Sequence, residues 1–206
     1  LILMCWRMLS DDEGRRAFTA LWAVNPLVIY GEYVIGQIGL MPSLCVVLAC
    51  YFSLQKEKAH YACLSLGFGC LLKIFPIIFL PMVLCLTSRS IKDAIRLSLY
   101  CLIPVAAGFG LFYMISGATA LRVFNLASTV SQPAGAISPW VVRIVQAAIY
   151  GAVCIHILLR RKQSFNYVLL VQYFMVVYQA IYLSLPVWQT YYYVWCVPFA
   201  ILCMQK

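Results

Sequence analysis

The stretch that decides the fold is LGFGCLLKIFPIIFLPMVLCL, Leu66 to Leu86, an apolar run with one charged residue, Lys73. A lysine at membrane depth costs about 2.5–3.5 kcal/mol on insertion scales, so it persists where it faces a cavity, a ligand or a counter-ion. Pro76 and Pro81 follow it, and a proline interrupts helical hydrogen bonding. We therefore predict two short helical arms that meet near Lys73 and line a polar cavity.

Composition indicates an integral membrane protein. Hydrophobic residues make up 65% of the 206 residues and charged residues only 10%, whereas soluble domains are about one-quarter charged. The apolar segments lack the alternation that is typical of membrane strands. We therefore predict an all-α fold, a polytopic transmembrane helical bundle with a broken, re-entrant hairpin, that forms one transmembrane domain over residues 1–206.

Nine apolar segments are long enough to cross a membrane or to enter it as shorter arms. They are a partial helix at residues 1–9, then Phe18–Tyr30, Ile38–Leu54, His60–Leu72, Pro76–Leu86, Leu97–Ile115, Trp140–Leu159, Asn166–Leu185 and Tyr191–Met204. The chain starts within apolar sequence and shows no cleavable signal pattern. We therefore expect it to be the C-terminal part of a larger membrane enzyme.

The basic residues predict the orientation, because membrane proteins collect Lys and Arg in their cytosolic loops. With the Arg7–Arg16 loop in the cytosol and a hairpin at Lys73, all but three of the 15 Lys and Arg residues lie on the cytosolic side. The exceptions are Lys73, Arg122 and Arg143. A straight span through Lys73 would invert every later loop and largely remove this bias. The net charge of +9 is thus a topology signal, and we expect no nucleic-acid partner.

The opposite, non-cytosolic side gathers polar side chains. Glu32 is the only acidic residue predicted there, and the other polar groups of interest are Gln37, Asn125, Gln189 and Tyr192. Lys and Arg bind phosphate, while amides and aromatic rings suit sugar hydroxyls and faces. The set therefore predicts a site for an anionic, hydroxyl-rich ligand. Structural roles stay open for single residues: Lys73 as a snorkelling side chain, Arg122 as an interfacial anchor, Gln37 as a helix cap and the tyrosines as an aromatic belt.

The ten cysteines favour packing over metal binding. Nearly all lie inside apolar segments, and the sequence contains no C-x-x-C pair and no Cys/His cluster with metal-ligand spacing. Cysteine in such segments is a small, polarizable packing residue. We expect no metal, no structural disulfide and no certain cofactor.

Four short motifs follow one another along the chain. They are Asn25-Pro26 at a helix end, Gly36-Gln37 before the next helix, Lys73-x-x-Pro76 between two short arms, and an element that runs from Gln189 through Tyr191 or Tyr192 and Trp195 to Pro198. In this order they resemble the C-terminal half of GT-C-type membrane glycosyltransferases. The likeness is greatest to polyprenyl-phosphate-mannose-dependent mannosyltransferases and spans about residues 20–204.

The resemblance implies a mannosyltransferase with a polyprenyl-phosphate-linked sugar donor and a glycan or glycolipid acceptor on the non-cytosolic side. A carboxylate would deprotonate the acceptor hydroxyl, which displaces the lipid phosphate with inversion. Cations beside the departing phosphate lower the barrier, and we assign Lys73 and Arg122 to that role. The groups that we assign to the sugar or acceptor are Gln37, Asn125, Gln189 and Tyr192. The membrane, with its lipids as partners, is the bacterial plasma membrane or the endoplasmic reticulum.

One departure from the family pattern concerns the catalytic base. The enzymes that this chain resembles carry a catalytic acidic residue in their first large extracytoplasmic loop, and these 206 residues contain no such loop. Glu32 lies on the expected side, but we do not promote it to catalyst. The catalytic residue is therefore left unassigned.

Two other classes of protein stay open. A secondary transporter also uses broken helices with polar groups at mid-depth, and it would show an internal repeat of the hairpin, which we do not find in this sequence. A non-catalytic membrane assembly subunit is the other alternative. Such a subunit has no need of Lys73 or of polar groups gathered on one side.

Overall fold

The computed structural model describes residues 1–9, 11–34, 40–117, 139–161, 167–182 and 190–204. Within these ranges the chain consists of helices and turns without a strand, so the predicted all-α class is confirmed. The α-helices are α1 (Ile2–Met8), α2 (Asp12–Ala23), α3 (Pro26–Val28), α4 (Leu40–Ser53), α5 (Ala59–Leu72), α6 (Leu80–Thr87), α7 (Ile91–Ser116), α8 (Pro139–Arg160), α9 (Tyr167–Tyr182) and α10 (Val197–Met204). A π-helix spans Ile29–Val34, and 3-10 helices span Lys56–Lys58, Phe75–Phe79 and Thr190–Trp195.

The run around Lys73 folds into two arms, as its prolines predict. α5 ends at Leu72, and Lys73 is extended, with φ −152° and ψ 140°. The second arm begins as the 3-10 helix, with Pro76 in its first turn, and continues as α6. Because His60 at the start of α5 and Thr87 at the end of α6 line the same cavity, the two arms run antiparallel. Lys73 therefore lies at the turn of a helical hairpin.

Glycines let the first arm pack closely between α4 and α7. A Cβ atom added at Gly67 would lie 2.2 Å from the carbonyl oxygen of Cys101 on α7. A Cβ atom at Gly69 would lie 2.9 Å from the Cβ of Cys45 on α4. Both distances are too short for a real side chain, and small residues permit such close approach between apolar helices. α5 is therefore fixed on two sides.

The apolar segment Phe18–Tyr30 is divided at Asn25. Asn25 is extended, and its Oδ1 accepts the N–H groups of Leu27 and Val28 at 3.0 and 3.3 Å. Pro26 occupies the first helical position, where no N–H is needed. The chain therefore passes from one helix to the next at the Asn25-Pro26 motif, which the sequence predicts to lie at a helix end, because Asn25 caps a new helix after α2 has ended.

Two of the described helices are long and apolar enough to cross a membrane, at 91–116 in α7 and 143–160 in α8. Only 11% of each apolar window is buried inside the protein. Met114 on α7 is 79% exposed and Leu159 on α8 is 75% exposed. A helix in the core of a soluble protein would bury such residues, so this exposure is typical of helices that face lipid.

Loops that the sequence assigned to one side of the membrane meet at one end of the protein. Glu57, which precedes α5, lines a cavity together with Arg89, which precedes α7. Arg161 Nη1 donates a hydrogen bond of 3.4 Å to the carbonyl oxygen of Ser88. Lys73 lies at the other end of α5, whose 14 residues span about 21 Å. The hairpin turn is therefore remote from these basic loops.

Candidate functional site

Lys73 and Trp195 form the centre of the candidate site. The Lys73 Nζ atom lies 4.5 Å from the centroid of the Trp195 ring, which is a cation–π contact. Lys73 is half-buried, and Trp195 is 7% exposed. A ring from the C-terminal part of the chain therefore holds the charge at the hairpin turn.

Stacked aromatic rings connect this contact to the core. Phe75 follows the turn and stacks on Trp195, with ring centroids 4.3 Å apart and planes inclined by 5°. Tyr178 of α9 meets both rings edge-on, with centroid distances of 6.1 Å to Phe75 and 6.4 Å to Trp195. Aromatic pairs of these geometries contribute about 0.5–1.5 kcal/mol each beyond the area that they bury. The three rings therefore fix the turn against α9.

The local sequence explains why the chain turns at Lys73. The Lys73 N–H donates to the carbonyl oxygen of Gly69 at 3.0 Å and closes the last turn of α5. A Cβ atom at Gly69 would lie 3.0 Å from Pro76 Cγ, so the missing side chain makes room for the buried proline ring. Pro76 in turn cannot continue the hydrogen bonding of α5. Gly69, Lys73 and Pro76 thus act together as one turn motif.

Tyr150 of α8 contributes a hydrogen bond to the second arm. Its hydroxyl donates to the carbonyl oxygen of Ile78 in the 3-10 helix. In a 3-10 helix this carbonyl would accept the N–H of residue 81, which is Pro81 and has none. The tyrosine therefore supplies a donor where the backbone cannot, and it connects the hairpin to α8.

Further elements that carry predicted site residues contact the same region. The 3-10 helix Thr190–Trp195 contacts α3, which Asn25 caps, and the π-helix Ile29–Val34, which contains the backbone of Glu32. The structure thereby brings together parts of three of the four sequence motifs. These are Asn25-Pro26, Lys73-x-x-Pro76 and the C-terminal element, through its Trp195.

The side chains of the other predicted site residues lie outside the part of the chain that the structure describes. Those that lie outside the described residues are Gln37, Arg122, Asn125 and Gln189, and the same holds for the side chains of Glu32 and Tyr192. Lys73 is the predicted site residue whose side chain the structure describes. The roles assigned to the others stay predictions.

Sequence reasoning did not assign Trp195, Phe75 or Tyr178 to the site. Trp195 belongs to the C-terminal motif, and its place there was the only signal that pointed to it. Phe75 lies within the hairpin run, and Tyr178 lies in an apolar helix, so both resemble ordinary core residues by sequence alone. Their roles depend on contacts between distant segments.

The geometry at Lys73 suits an anionic group. An ammonium has three N–H donors, so it can contact a ring face and still donate to a phosphate oxygen. The ring of Trp195 and the partial burial of Lys73 lower the local polarity, which strengthens an electrostatic contact of this kind. Within the described ranges, no group of three His, Cys, Asp or Glu side chains is placed to hold a metal ion.

Comparisons of the chain with protein-family models, with curated proteins and with solved structures found no match. The likeness to GT-C-type glycosyltransferases therefore rests on the four sequence motifs. The structure adds the spatial proximity of parts of three of these motifs.

Proposed function

We propose that this chain is the transmembrane part of a glycosyltransferase that takes its sugar from a polyprenyl-phosphate-linked donor. The sugar is mannose in the enzymes that the sequence most resembles, and the acceptor is a glycan or a glycolipid. In this proposal the helices form a polytopic bundle in the bacterial plasma membrane or the endoplasmic reticulum. The hairpin turn with Lys73 faces the non-cytosolic side, where transfer takes place.

The observation that carries the proposal is the contact between Lys73 and Trp195. The two residues belong to motifs that are far apart in the sequence and that the resemblance assigns to one active site. Their cation–π distance of 4.5 Å brings the two motifs together, which supports one shared site. A lysine that only snorkels to the interface would have no need of a nearly buried tryptophan from the last part of the chain.

Three features support the membrane placement. α7 and α8 expose long apolar surfaces, with only 11% of each apolar window buried. The basic loops around Arg89 and Arg161 meet at one end, as the positive-inside rule requires of cytosolic loops. The antiparallel arms of the hairpin return the chain to that same end.

In this mechanism Lys73 binds the phosphate that links the sugar to its lipid. As the acceptor hydroxyl attacks the anomeric carbon, the bond from that carbon to the phosphate oxygen breaks, and negative charge grows on the phosphate. A preorganised ammonium beside that oxygen stabilises the charge. Arg122 is the expected second cation. The expected sugar or acceptor contacts are Gln37, Asn125, Gln189 and Tyr192, and the carboxylate that takes the acceptor proton is unassigned.

The direct test is binding of a polyprenyl monophosphate to the chain in nanodiscs, measured by native mass spectrometry. Lys73→Met removes the charge at similar length, and we expect affinity to fall about tenfold to a hundredfold, the scale of one charge-assisted hydrogen bond. Lys73→Arg keeps the charge and should retain part of the affinity. Lys92→Met, at the basic end of the protein, is the matched control and should change nothing.

Activity gives the second readout. In a membrane enzyme that contains this chain, Lys73→Met should lower glycosyl transfer by on the order of a hundredfold per inserted molecule. Equal binding and normal turnover in Lys73→Met would remove the residue from the site. A polar solute carried across proteoliposomes, without binding of the lipid phosphate, would favour the transporter alternative.

A further inference from the structure

At the opposite end of α5 from Lys73, a cavity of about 390 Å³ lies between the turns that precede α5 and α7. Its charged lining comes from Glu57 on one turn, from Arg89 on the other, and from Asp93 and Arg96 in α7. His60 and Thr87 also line it. The volume lies within the range of small-molecule sites, about 300–1,000 Å³.

The charges in this cavity are of both signs and do not pair with each other. Within the residues that the structure describes, no ion pair joins Glu57 or Asp93 to Arg89 or Arg96. Asp93 uses Oδ2 to accept the backbone N–H of Arg89 at 3.1 Å, and Arg96 lies 5.9 Å from the ring centroid of Tyr100. Two carboxylates and two guanidinium groups therefore face one space with a formal net charge of zero.

The equal number of positive and negative side chains indicates which kind of ligand the cavity can bind. A simple phosphate would be attracted by the arginines and repelled by the carboxylates, and a simple cation would meet the reverse. A small zwitterion satisfies both pairs, because its phosphate can bind the guanidinium forks of Arg89 and Arg96 while its ammonium binds the carboxylate of Glu57. A primary ammonium suits Glu57 best, since it has three N–H donors and a quaternary ammonium has none.

The surroundings indicate a lipid as the source of that zwitterion. Leu99 and Ile103 follow Arg96 at i+3 and i+7, so they lie on the same face of α7. Each is 55% exposed. An apolar track thus leads from the rim of the cavity along α7, where acyl chains can lie.

We propose that this cavity binds the headgroup of a phospholipid with a primary ammonium, of the phosphoethanolamine type, with the phosphate on Arg89 and Arg96 and the ammonium on Glu57. The inference rests on the membrane placement given above but not on glycosyl transfer. The headgroup would bridge the α4–α5 turn and the α6–α7 turn. It would therefore hold the two ends of the hairpin together from the basic side.

The test uses the 206-residue chain in nanodiscs that contain phosphatidylethanolamine, phosphatidylcholine or phosphatidylglycerol, with retained lipid counted by native mass spectrometry. We expect phosphatidylethanolamine to be retained about tenfold or more over phosphatidylcholine, because only the first donates hydrogen bonds from its ammonium. Glu57→Gln should abolish this preference. Arg96→Gln should reduce retention of both lipids, while Lys92→Gln, whose side chain does not line the cavity, should change neither.

Equal retention of phosphatidylethanolamine and phosphatidylcholine would overturn the proposal, as would a preference that survives Glu57→Gln. Stronger retention of phosphatidylglycerol would show that the arginines act alone. If soluble phosphoethanolamine displaced the lipid at a concentration similar to that of the lipid, the acyl chains would contribute nothing, and the proposal that the ligand is a lipid would be wrong. Lys73→Met serves as the separating control, because it should leave this preference intact even if polyprenyl-phosphate binding is lost.

Discussion

Replacing Gly67 by alanine should separate α5 from α7. The added Cβ would lie 2.2 Å from the Cys101 carbonyl oxygen, and a normal carbon–oxygen contact is about 3.3 Å or longer. The two helices would therefore have to move apart by about 1 Å, because the obstacle is backbone and cannot rotate away. Overpacking of this kind costs about 1–3 kcal/mol, more than the gain of up to about 1 kcal/mol from the helix propensity of alanine.

Gly110, in α7, is the matched control. A Cβ atom there would meet nothing within 4 Å, so Gly110→Ala should be neutral or stabilising by up to about 1 kcal/mol. Thermal unfolding in detergent measures both variants, at roughly 2–4 °C per kcal/mol for a chain of this size. The overpacking cost less the propensity gain leaves up to about 2 kcal/mol, so we expect the midpoint to fall by up to about 8 °C for Gly67→Ala and to stay level or rise for Gly110→Ala. Equal midpoints for the two variants would refute the close approach of the helices.

Three further predictions concern the hairpin and its neighbours. Tyr150→Phe removes the hydroxyl that donates to the Ile78 carbonyl and should lower the unfolding midpoint by about 2–5 °C, whereas Tyr113→Phe, at a side chain that is 52% exposed, should not. Asn25→Ala removes the cap and should cost about 1 kcal/mol in the same assay, and Asn25→Ser should recover most of it. In a cysteine-depleted background, a cysteine at Lys73 should react with impermeant reagent from the non-cytosolic side; reaction from the cytosol alone would contradict the orientation.

The break at Lys73 could be predicted because its cause is local. Pro76 removes a backbone donor wherever it stands, and a lysine in an apolar run needs a polar environment whatever surrounds it. Asn25 shows the limit of the same approach. The apolar pattern around it continues without a gap, so hydrophobicity alone does not divide the segment. The Asn25-Pro26 motif marks a helix end there, and the hydrogen bonds that Asn25 accepts from Leu27 and Val28 show that a new helix begins at once.

The start of α7 was predicted too late for a related reason. Hydrophobicity placed it at Leu97, but the helix begins at Ile91, because Ser90 Oγ accepts the N–H of Asp93 at 3.2 Å and caps the first turn. Caps are polar, so an apolar window passes over them. The sequence order Ser90 to Asp93 carried this signal, and a search for capping pairs would have found it.

The contact between Lys73 and Trp195 could not be predicted from periodicity or composition. It depends on how α9 and the 3-10 helix Thr190–Trp195 pack against the hairpin, and nothing local to either residue specifies that packing. The resemblance to a glycosyltransferase placed both motifs in one site, without naming the pair. Tertiary contacts of this kind follow from the whole arrangement of helices.

The close packing of α5 has a consequence for how the site can open. With Gly67 against the backbone of α7 and Gly69 against α4, the first arm cannot tilt without breaking both contacts. The second arm is built differently, from a 3-10 segment with Pro76 and Pro81 and a carbonyl served by a tyrosine side chain. If the site widens to admit a bulky ligand beside Lys73, the second arm is therefore the part that moves. The hairpin thus combines one arm that stays fixed with one arm that can shift.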